Sequence, residues 1–176
     1  CRPCMPPGFG SGGMGRANLP WPLVHTMRTD IPYYRDRGVE GFYTQLSDNL
    51  WHRLGLNYYV AAKLCWNADL DVDALLADYF EKFYGPAAAP VKSAFMAMEE
   101  SIEAWNGCAS YGLQGVAGLR VVGPKVFTPP VMERMGECLD QAERLAGGDT
   151  LVSARVAMAR KMYNETQEAL KNIPAK

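Results

Sequence analysis

Tyr43, Gln45, Asp48, Asn49, Trp51 and His52 fall within a stretch of ten residues, with Trp21 upstream. An aromatic face gives the C–H surface of a sugar a flat apolar contact, while amides and carboxylates bond its hydroxyls, so the mixture suits a carbohydrate cleft. Trp21, Tyr43, Gln45, Asp48 and Trp51 are therefore the candidate substrate-binding residues. The same residues also fit a blander role, with rings packed between elements and polar loop groups in water.

Other chemistries find less support. Glycoside hydrolysis needs two acids about 5 to 10 Å apart across the sugar. Glu40 and Asp48 are the acids nearest the aromatic cluster. Neither has an identifiable mate, so the catalytic residues stay unassigned, and a self-sufficient enzyme using Glu40 with Asp48 stands only as a rival reading. His25 and His52 are the sole histidines and lack metal-ligand spacing, and the pair Cys1 and Cys4 is followed by no second Cys-x2-Cys. We expect no metal and no cofactor. The glycines between Gly8 and Gly13 lack the Gly-Lys-Ser/Thr of a phosphate loop, and no Gly-x-Ser-x-Gly elbow occurs.

The elements that must position the cluster follow from periodicity. Residues 1–22 hold five prolines and five glycines and should form a loop. Asp30 followed by Pro32 reads as a helix start and Gly38 as a left-handed stop, which predicts a helix over 31–37, with a start as early as Leu23 left open. Val39 to Thr44 is short, aromatic and β-branched and reads as the one strand of the chain, which must then pair with strands supplied from elsewhere. Leu56, Val60 and Leu64 recur four apart and end at Asn67. Asp71 caps a helix whose Val72, Leu75, Leu76, Tyr79, Phe80 and Phe83 share one face, with Gly85 ending it and Pro86 opening the next as far as Gly107. Residues 108–127 read as a long connection. Thr128 with Pro129 and then Asp149 open two helices joined at Gly147 and Gly148, an antiparallel hairpin.

Composition sets the outer bounds. The chain has 176 residues, 48% of them hydrophobic, and its net charge of -1 leaves no basic footprint for nucleic acid. No apolar run approaches the ~20 residues of a membrane span. Five cysteines without regular spacing read mostly as buried, reduced thiols. A first residue of Cys1 rather than Met, together with the unpaired strand, leads us to expect a piece of a longer protein.

Four segments taken together follow a familiar order: Leu19-Pro20-Trp21-Pro22, Asp30 to Phe42, Tyr59 to Asn67, and Asp71 through Tyr84-Gly85-Pro86-Ala87-Ala88. Over roughly residues 19 to 105 the series resembles the C-terminal part of large bacterial glycoside-hydrolase-like proteins grouped as a domain of unknown function. That group includes endo-β-N-acetylglucosaminidases and is akin to the α-glucuronidases. The resemblance implies a mainly α chain, a helical C-terminal domain (54–176) preceded by the last strand and helix of a truncated (β/α)8 barrel (1–53). It also implies a glycan substrate, an upstream barrel of the same protein as partner, catalytic carboxylates upstream of Cys1, and an extracellular or periplasmic location. Tyr43, Thr44 and Gln45 would then lie at the barrel rim. A helical interaction or scaffold module without catalytic role is the alternative.

Overall fold

The computed structural model describes residues 19–41, 50–105 and 122–173, and all regular structure among them is helical. Seven helices follow in order: α1 (Val24–Asp36), α2 (Trp51–Trp66), α3 (Val72–Tyr84), α4 (Ala88–Ala104), α5 (residues 122–126), α6 (Pro129–Ala146) and α7 (Thr150–Lys171). A 3-10 turn, Gly85–Ala87, joins α3 to α4. The mainly α expectation holds.

The apolar faces converge on one core. Met27, Leu56, Phe80, Met98, Leu139 and Met162, drawn from six different helices, are all almost fully buried within a continuous cluster. Tyr79, Phe80, Phe83 and Tyr84 of α3 form its aromatic centre, with Tyr79 stacked on Phe83 at 5.7 Å and Phe95 of α4 set edge-on to Phe80 at the same distance. Burial pushes the Tyr79 hydroxyl up to about 12.

Local signals account for several helix ends. Asp71 accepts from the Asp73 N–H at 2.9 Å, and Asp149 accepts from Leu151 and Val152. Gly85, with φ +50°, ends α3 in a conformation that side chains rarely adopt. At the end of α1 the Gly38 N–H donates to the Arg35 carbonyl and the Val39 N–H to the Tyr34 carbonyl, with Gly38 at φ +79°. That paired 5→2 and 6→1 arrangement is a Schellman stop, as the glycine implied.

Neighbours run as short connections require. Tyr59 of α2 donates to Asp78 of α3 at 2.6 Å across an antiparallel pair, and burial first, then this bond, raises the Tyr59 hydroxyl to about 12. Arg160 of α7 reaches Glu143 and Asp140 of α6, which closes the expected hairpin. By contrast α1 and α2 lie parallel. Leu23 at the start of α1 bonds Asn57 early in α2, while Arg35 at the end of α1 pairs with Asp69 just past α2 at 2.6 Å.

Three expectations need correction. Helix α1 begins at Val24, at the earlier start near Leu23 that the sequence left open, so the Asp30 cap is corrected: Asp30 and Pro32 both sit inside the helix. The Asp-x-Pro spelling imitates a helix start, but contacts from α2 and α4 support the earlier turn. The stretch 108–127 is not wholly a connection, because α5 occupies 122–126 with Val122 and Val126 buried. Finally, Val39, Glu40 and Gly41 are exposed and form no strand, and the Val39 N–H is already engaged by the α1 stop. The remainder of the expected strand, Phe42 to Thr44, lies outside the described residues.

Candidate functional site

Two polar clusters stand out on this apolar frame, one at the amino end of α1 and one at the amino end of α2. The first exists because α1 has no cap of its own. Leu23, the residue before the helix, offers no side-chain acceptor, and the first N–H groups of any helix need one. Asn57 supplies part of the answer from α2. It is 1% exposed, its Oδ1 accepts from the Leu23 N–H at 3.1 Å, and its Nδ2 donates to the Trp21 carbonyl at 2.8 Å.

Glu99 supplies the rest from α4. Its Oε1 accepts from the His25 N–H at 2.5 Å and lies 2.8 Å from His25 Nδ1. A carboxylate is favoured at this position, where the positive end of the α1 dipole emerges. Its other oxygen, Oε2, is buried without a hydrogen-bond partner. The hydrogen bond to Glu99 raises the His25 imidazole above its ordinary 6.5 against the opposing effect of burial, with the negative charges of Glu99, Glu103 and Asp30 adding to the rise. Beside this pair, Trp21 meets Trp105 edge to face at 6.3 Å.

The second cluster joins α2 to α7. Glu165 Oε2 lies 2.7 Å from His52 Nε2 and accepts from Arg53 Nε at 3.0 Å and Nη2 at 2.6 Å. Burial alone would push the Glu165 carboxyl up, but the bonds from His52 and Arg53 outweigh it and hold the group below the ordinary value. One residue earlier, Trp51 is 42% exposed and its ring lies 5.8 Å from that of Tyr58. A Cβ at Gly55 would stand 3.0 Å from the indole, so the absence of a side chain there lets the ring lie close over the helix.

The expected binding residues thus divide. Trp21 is half-buried in a ring pair with Trp105, nearer to the bland packing role, whereas Trp51 offers a surface ring. Tyr43, Gln45 and Asp48 lie outside the described residues. Glu40 is exposed. His52 belongs to an interhelical pair with Glu165 rather than to a sugar-facing loop. Cys65 is exposed rather than buried, and Cys138 is half-buried; burial nonetheless raises both thiols.

Sequence reasoning missed Asn57, Glu99 and Glu165. A signal existed for the first two, since Asn57 falls between Leu56 and Val60, and Glu99 beside Met98, on otherwise apolar stretches. A polar residue on such a face is buried only when it is bonded. Among the described residues no group of three or more His, Cys, Asp or Glu could hold a metal ion. None of their helices is long and apolar enough to cross a membrane.

Residues 14–97 match the family model described as Domain of unknown function (DUF4838). The matched stretch takes in α1, α2, α3 and more than half of α4, and with them Trp21, His25, Trp51 and His52. No curated protein and no solved structure matches the chain.

Proposed function

We propose that this chain is a helical, non-catalytic part of a glycoside-hydrolase-like protein and lends an aromatic surface to its glycan cleft. The observation that carries the reading is Trp51, a surface indole seated over Gly55 and braced by Tyr58. A ring with a fixed pose offers an apolar face to sugar C–H groups at little cost in side-chain freedom. At the same end of α2, Glu165 and Arg53 are paired with each other. In this reading the catalytic carboxylates and the rest of a (β/α)8 barrel lie upstream. Support comes from the sequence resemblance over residues 19–105; the domain matched over 14–97 is one of unknown function and names no substrate.

Calorimetry with soluble β-linked oligosaccharides tests this, run on the chain alone and on the protein extended by its upstream sequence. Trp51→Ala should weaken binding by about tenfold, the order expected for a lost ring contact, while the helical circular dichroism is unchanged. Equal affinity of the variant and the parent would remove Trp51 from the cleft. The alternative, a helical protein-interaction module, is favoured by one observation: Trp66 at the end of α2 is 92% exposed. Under that alternative neither tryptophan affects oligosaccharide binding.

A further inference from the structure

We propose that His25 and Glu99 form a pH-sensitive latch on the amino end of α1, closed in mild acid and loosened in mild alkali. Three features of the geometry support it. Residues 25 and 99 come from helices far apart in sequence, so their contact ties α1 to α4 rather than stabilising either helix internally. One oxygen, Glu99 Oε1, faces both the His25 N–H at 2.5 Å and the ring Nδ1 at 2.8 Å, which couples a first-turn backbone bond of α1 to the charge on the same residue. Glu99 is only 6% exposed, so water screens the pair weakly.

The surrounding charges act in the same direction. From α4, Glu99 and Glu103 face the imidazole, and from α1 Asp30 does. Arg28 of α1 senses Glu99 but is itself paired with Asp73 of α3 at 2.6 Å. The neighbouring polar group from α2 is Asn57, which carries no charge. A protonated His25 therefore has acidic neighbours, and its folded pKa lies above the ordinary 6.5. A group raised on folding contributes stability that is full below the unfolded value and is lost as pH rises through the folded one. The neutral ring can still donate from Nδ1, so the latch weakens in alkali without parting. The segment it loosens lies at the start of α1, beside the Trp21 ring seated on Trp105.

Hydrogen exchange of the Val24, His25 and Thr26 amides, corrected for intrinsic rates, tests the latch between about pH 5.5 and about pH 8.5. The wild-type chain should lose protection there by several-fold on raising the pH. His25→Gln, whose neutral amide can reach the same carboxylate, should flatten the profile, and His52→Gln should leave it in place. A flat wild-type profile, or an unchanged slope in His25→Gln, overturns the proposal. Titration of the His25 ring by nuclear magnetic resonance in the unaltered chain decides independently should the variant fail to fold: a midpoint at or below 6.5 refutes the latch, and one above it supports it.

Discussion

Helix α7 opens on Asp149, whose own carboxylate accepts from the Leu151 and Val152 N–H groups, whereas α1 opens on Leu23 and borrows its acceptors from Asn57 and Glu99. The first arrangement is written in four adjacent residues. The second needs α2 and α4 to be in place before α1 can begin where it does. Helix α1 therefore depends on tertiary structure for its start, and α7 carries its own. The carboxyl ends of α1 and α3 stop locally on Gly38 and Gly85, and Arg155 of α7 adds a bond from outside, donating to the Phe83 carbonyl at 2.9 Å and lying over the Phe83 ring.

The contrast can be broken at its dependent end. Asn57→Ala leaves the Leu23 N–H and the Trp21 carbonyl unpaired in a buried place, and should cost about 3 kcal/mol. Urea denaturation followed by circular dichroism measures it, and a loss no larger than that of a surface change would mean that α1 is self-supporting. Next in size is the α2 to α7 junction. Glu165 has a lowered pKa, so its contribution is present above the ordinary 4.5 and is lost as pH falls through the folded value. Glu165→Gln should cost about 1 kcal/mol at neutral pH, discounted for its partial exposure, and should flatten the acid limb of the thermal melting curve. The smallest effect belongs to the self-capped helix, where Asp149→Ala should cost about 1 kcal/mol or less. If that loss exceeded the one from Asn57→Ala, the ranking of borrowed over local caps would be reversed.

What was legible in the sequence follows the same line. The face Val72, Leu75, Leu76, Tyr79 and Phe80, the caps Asp71 and Asp149, the stops Gly38 and Gly85, and the hairpin at Gly147 and Gly148 are all local, and each stands where the pattern put it. The start of α1 near Leu23 was legible only as an open alternative, because its acceptors are far along the chain and Asp30-Ile31-Pro32 offers a false local start. Val39 has strand-forming character, yet its N–H closes the α1 stop, so propensity yielded to the helix end before it. Of the candidate site, Trp51 stands at the surface at the start of α2. The pairing of His52 with Glu165 was not legible, since residue type alone does not bring α2 and α7 together.

Gly55 separates whether an indole is present at position 51 from how that indole is tilted. A single methyl group there would press on the ring at 3.0 Å, a contact the half-exposed indole can relieve by swinging outward by a few tenths of an ångström. The same methyl would favour the helix by up to about 1 kcal/mol, since glycine is a poor interior helix residue. Gly55→Ala is thus a steric dial on ring orientation that leaves aromatic content, charge and every hydrogen-bonding side chain as they are.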